Sequence, residues 1–142
     1  MRDLHNNIAF VEAIAPAVYA ADTTPASLDL AGFNSAEIVI QAGAGGISFT
    51  STNKIEFSLT HSDDNATFTP VTAADLLGLN SVTGGVILAF TAAKAATSVH
   101  KVGYVGGRRY LKLLADFSGT HGTGTALSAI LVKAHAASRP VS

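Results

Sequence analysis

The stretch KVGYVGGRRYLK, from Lys101 to Lys112, holds four residues whose types and spacing suit anion chemistry: Gly106 and Gly107, followed by Arg108 and Arg109. A glycine loop binds phosphate by presenting backbone N–H groups at the start of a helix, where the dipole also favours negative charge. No helix pattern follows here. RRYLKLLADF places Leu111, Leu113, Ala115 and Phe117 at alternate positions, the period of a strand. The spacing therefore predicts a tight hairpin turn at Gly106 and Gly107, joining SVHKVGYV to RRYLKLLADF, with glycine supplying the positive φ such turns require. Arg108 and Arg109 then open a strand and point to opposite faces. One is placed to reach a carboxylate on a neighbouring subunit, the other to cover its own sheet or pair within the fold. A nucleic-acid reading needs a wider basic patch with exposed aromatics, and only Lys101, Lys112, Tyr104 and Tyr110 lie nearby.

Other chemistry finds little support. No two of the five histidines, His5, His61, His100, His121 and His135, have the close spacing of a local metal site. Asp63 and Asp64 suggest Ca²⁺ or paired acid/base carboxylates, but HSDDNATFTPV lacks the alternating ligands and closing Glu of an EF-hand. It reads more simply as strand, Asx turn, strand, because Asp and Asn side chains bond their own backbone and tolerate left-handed conformations. Ser, His and Asp are all present, yet no Gly-x-Ser-x-Gly elbow occurs. GAGG at 43–46 lacks the further glycine and the helix of a dinucleotide fingerprint. We expect no catalytic, cofactor-binding or metal-binding residue, and no enzyme.

The elements that would position these residues have period two. KIEFSLTH sets Ile55, Phe57 and Leu59 against Lys54, Glu56, Ser58 and Thr60, as in a strand with one buried face. AEIVIQAG, GGVILAF and ALSAILVKA are apolar, β-branched runs bounded by turn residues and read as strands; SVHKVGYV and SLDLAG add two more. TAADLLG at 72–78 predicts one short helix with Thr72 as N-cap, Asp75 at N3 and Gly78 as its stop. TAAKAAT at 91–97 is either a second helix or a loop. Short strands with frequent turn signals predict an all-β fold, an antiparallel sandwich or jelly roll.

Composition bounds the partners. Of 142 residues, 13% are charged and 48% hydrophobic, with 9 basic and 10 acidic side chains. A surface so poor in charge is weakly protected against association, which points to a working life in protein contacts. The even charge balance argues against nucleic acid and anionic membranes. The lack of cysteine excludes disulfides and thiolate chemistry. NIAFVEAIAPAVYAAD ends in small residues like a secretory signal, but Glu12 interrupts its apolar run and Asp3 offsets Arg2. No run approaches the ~20 apolar residues of a spanning helix.

The first 15 residues resist this scheme. Ile8, Phe10, Val11 and Ile14 fit neither a clean strand nor a clean helix, and Pro16 separates them from the first confident strand. We expect an N-terminal arm over 1–15, burying Phe10 and Ile14 on a neighbouring subunit, and one β-domain over 16–142. The alternative is an edge strand or short helix of the same domain.

Three segments carry a resemblance: IAPAVYAADTTPASLDLAGFNSAEIVI, HSDDNATFTPVTAADLLG and HKVGYVGGRRYLKLLADFSG. Together they resemble small proteins encoded among the structural genes of tailed bacteriophages and gene transfer agents. The likeness spans nearly the whole chain and is best at Ser-Asp-Asp-Asn with its following Phe-Thr-x-Val, and at Val-Gly-Tyr-x-Gly-x-x-Arg-Tyr. GGISFTSTN and GLNSVTGG depart from the pattern. The resemblance implies a virion protein that decorates or cements the outside of the capsid. Its partners would be the major capsid protein and further copies of itself, in a trimer for instance, and assembly would take place in the host cytoplasm. Arg108, Arg109, Phe10, Ile14 and Tyr104 are the expected interface residues. Two other readings stand beside this one: a tail or neck component, and a carbohydrate-binding sandwich whose site is lined by Tyr104, Tyr110 or His121.

Overall fold

In a computed structural model, which describes residues 3–138 and 141, the chain is an antiparallel two-sheet sandwich. Its strands are β1 (Ile8–Tyr19), β2 (Leu28–Asp29), β3 (Phe33–Ala42), β4 (Lys54–Ser62), β5 (Thr69–Pro70), β6 (Leu76–Leu77), β7 (Val86–Phe90), β8 (Ser98–Tyr104), β9 (Tyr110–Ser118) and β10 (Thr125–Ala136). A front sheet has the order β1-β10-β3-β8-β6; a back sheet has β2-β9-β4, with β5 and β7 both pairing with β4. The pairs β1·β10, β2·β9, β3·β8 and β4·β7 are distributed alternately between the two sheets. That is the connectivity of a jelly roll, as expected from the spacing of strands and turns.

The alternating residues do what their period dictates. Ile55, Phe57 and Leu59 of β4 and Leu111, Leu113, Ala115 and Phe117 of β9 point inward. They meet Ile38 and Ile40 of β3 and Leu127, Ala129 and Leu131 of β10 from the opposite sheet. At one end Phe90 bridges Phe49 and Phe57, with ring centroids 5.9 and 5.7 Å away. The turn expected after β4 is present: Asp64 accepts the amide hydrogens of Ala66 and Thr67 at 2.9 and 2.8 Å, and Asn65 has φ of 57°. The bond from Ser62, with these two, holds the Asp64 carboxyl below its usual range.

Local pattern misleads in several places. The helix expected over 72–78 shrinks to one 3₁₀ turn, Ala73–Asp75. Asp75 does reach back to the Thr72 amide, at 2.8 Å, but Leu76 and Leu77 pair with β8 instead of extending the helix. TAAKAAT is a loop.

The segment Gly106–Gly107 makes no hairpin, because β8 and β9 belong to different sheets and the chain between them crosses the sandwich. Neither glycine has positive φ. Gly106 is needed for close approach instead: a Cβ there would lie 2.6 Å from the Tyr104 hydroxyl oxygen.

The boundary expected between residues 15 and 16 falls inside β1, which pairs with β10 from Ile8 to Tyr19. Ile14 is not held for a neighbour, since it is 4% exposed within the chain's own core. Register shifts between Glu12 and Ile14, and between Ile14 and Ala17, reverse the side-chain phase along β1 and hid its period. Pro16 is tolerated because β1 is an edge strand.

Candidate interaction surface

The crossing segment 105–109 gathers most of the residues singled out for chemistry. The amides of Val105 and Gly106 both donate to the Asp75 carbonyl, at 2.8 and 3.2 Å, which docks the segment on the 3₁₀ turn. Tyr104, at the end of β8, is turned inward and 4% exposed. Its hydroxyl shares a 3.0 Å hydrogen bond with His61 Nδ1 and accepts the Arg108 amide hydrogen at 3.2 Å. Burial raises the Tyr104 phenol above its usual range. Burial and then the Arg108 charge lower the His61 pKa, which favours the neutral imidazole.

Each arginine finds a partner within the chain. Arg109 Nε and Nη2 donate to the two Asp29 carboxylate oxygens, both at 2.8 Å, and its guanidinium lies over the Tyr110 ring. These bonds bring the Asp29 carboxyl down to about 2. Arg108 Nη1 donates to Thr69 Oγ1 at 2.9 Å, and its Nε lies 3.8 Å from Asp63. Within the chain, these two pairs tie the crossing segment to β2 and to the β4–β5 turn.

The same geometry removes the residues expected to line a sugar site. Tyr104 and His121 are buried, and Tyr110 has its ring under Arg109. His121 Nε2 lies 2.9 Å from the Ser118 carbonyl, to which it donates, and the ring stands edge-on to Phe117 at 4.8 Å. Among the described residues no group of three or more His, Asp or Glu side chains is placed to hold a metal. Among them, too, no helix is long and apolar enough to cross a membrane.

What the surface does offer is the outer face of the front sheet. Phe10, expected from the sequence to lie in an interface, is 61% exposed there, with Val18 at 64%, Leu77 at 59% and Val99 at 67%. Between them lie half-buried Val39, Ile130 and Val132. Register aligns these side chains in transverse rows. One row runs Phe10, Val132, Glu37, Gly103, Leu77, and the next runs Glu12, Ile130, Val39, Lys101. Below them a groove of about 700 Å³ opens between β1 and β8, lined by Val18, Gln41, Val99, Ala126 and Ser128 among others, with no charged side chain in its walls.

Sequence reasoning missed Val18, Leu77 and Val99 on this face. The available signal was the contrast between sheets: β4 of the back sheet alternates apolar with polar, whereas Ile38-Val39-Ile40 in β3 and Ala129-Ile130-Leu131-Val132 in β10 are continuous apolar runs. Such runs mark strands covered on both faces. The sandwich core covers only one.

No family model and no curated protein matches the chain. Among solved structures, it is similar to the crystal structure of SPBc2 prophage-derived protein YomS, at a TM-score of 0.46 and 11% identity, covering 89% of this chain and 92% of that one.

Proposed function

We propose that this chain is a non-enzymatic virion structural protein that binds and stabilises a capsid lattice. The observation that carries the reading is a jelly roll in which one sheet, with continuous apolar runs in β3 and β10, has its outer face open and sets Phe10, Val18, Val99 and Leu77 on it. An exposed apolar face of this extent marks a surface that works covered by protein. The charge-poor composition and the resemblance to virion proteins of tailed bacteriophages support the same reading. The mechanism is mass action: a protein that binds only the assembled lattice shifts equilibrium toward it. Buried Tyr104 acts from within, by fixing the crossing segment, and contributes no contact of its own. Co-sedimentation with particles of the virus that encodes the chain, stripped of their own copies, tests the proposal. Saturable binding is the expected result, and a chain that stays in the supernatant at every particle concentration would contradict it.

A further inference from the structure

We infer that the outer face of the front sheet is a two-fold interface, occupied by a second copy of this chain. The inference goes beyond the proposed function and shares with it only the premise that this face is covered.

The row Glu12, Ile130, Val39, Lys101 is self-complementary. Let a two-fold axis run parallel to the strands, in the plane between two facing front sheets, above the seam of β10 and β3. Each row then meets its own reverse. Glu12 of one copy lies over Lys101 of the other, twice per dimer, and Ile130 lies over Val39 between the two ion pairs. In the adjoining row Phe10 meets Gly103 and the exposed Leu77 side chain, which leans over that glycine from β6 and offers an apolar contact. In the row beyond, Ser128 lies over Gln41. Aligned packing of this kind is a usual way for one sheet to cover another.

The charges suit this mate better than an unrelated partner. Glu12, Glu37 and Lys101 are the charged residues of these rows. Lys101 holds its own Glu37 only loosely, at 3.8 Å, with a side chain 79% exposed. It can therefore lie between that carboxylate and the Glu12 of the facing copy. Glu12 has no ion-pair partner within 4.0 Å among the described residues, and the two-fold supplies one.

The two-fold lays four strands of each copy, β1, β10, β3 and β8, over one another; at ~4.8 Å spacing and with four rows at ~6.8 Å they give a face of roughly 500 Å² per copy, on the order of 1,000 Å² in total. That is the lower limit of a specific interface, so the dimer should be weak and reversible.

Charge exchange tests the geometry with residues too exposed to matter for folding. Wild-type chain should show a monomer–dimer equilibrium by sedimentation equilibrium. Glu12→Lys and Lys101→Glu should each weaken self-association by about tenfold or more, because each places like charges at both ends of the row. Mixed in equal amounts, the two variants should recover association. Positions 12 and 101 are both basic in the first variant and both acidic in the second, so every charge in the mixed dimer faces its opposite. Circular dichroism of each variant should match wild type. A wild-type chain that stays monomeric at the highest concentration it reaches in solution, or variants that associate as well apart as together, would overturn the proposal. Either result leaves co-sedimentation with particles free to succeed or fail by itself, so the two readings are separable.

Discussion

Phe57→Ala lowers the unfolding free energy by about 3–5 kcal/mol, measured by urea denaturation. Phe57 has no exposed surface and stands at the middle of β4, the strand that pairs with β9 on one side and with β5 and β7 on the other. Its ring meets Phe90 edge-on at 5.7 Å, and Phe90 in turn meets Phe49. Truncation therefore removes both the transfer free energy of the side chain and the aromatic contacts around it, and leaves a cavity that paired strands on both sides cannot close. Phe57→Leu retains much of the volume and should cost less. A loss below about 1 kcal/mol for the alanine variant would mean that the two sheets are not packed on each other at this point.

The second large effect belongs to Tyr104. Tyr104→Phe keeps the ring, which stands edge-on to His61 with centroids 6.0 Å apart, but removes the hydroxyl shared with His61 and the Arg108 amide. Both groups then lose a hydrogen-bond partner in a buried site, at a cost of about 1–3 kcal/mol. Association should be unchanged at protein concentrations where the variant is folded, because the hydroxyl points into the sandwich. A variant of unaltered stability that associates poorly would contradict the inward placement and restore Tyr104 as a direct contact.

What was legible in the sequence follows from where period two survives. β4 and β9 have one buried and one mostly polar face, so Ile55, Phe57, Leu59 and then Leu111 and Leu113 announced themselves. The Asp64–Asn65 turn was legible because its bonds are local to the side chains that make it. β1 was not, since its register shifts move Ile14 into the core while Phe10, four residues earlier, points out. The Gly106–Gly107 crossing was misread because a glycine pair between two strands looks alike whether the strands pair or lie in opposite sheets. Only the non-local pairing of β8 with β3 and of β9 with β4 decides between them. On the exposed apolar face, Phe10 was singled out from its type alone. The rows that give it company depend on register across four strands, which no local pattern contains.

If the chain is a coat component, its apolar sheet face is covered in the assembled particle. A density map of the intact particle, taken at a resolution that shows strands, tests this most directly. Jelly-roll density for the chain is expected at regular positions on the outside of the head, with Phe10, Val18, Val99 and Leu77 facing protein. A map in which the chain is absent from the particle, or present with the front sheet open to solvent, would contradict it.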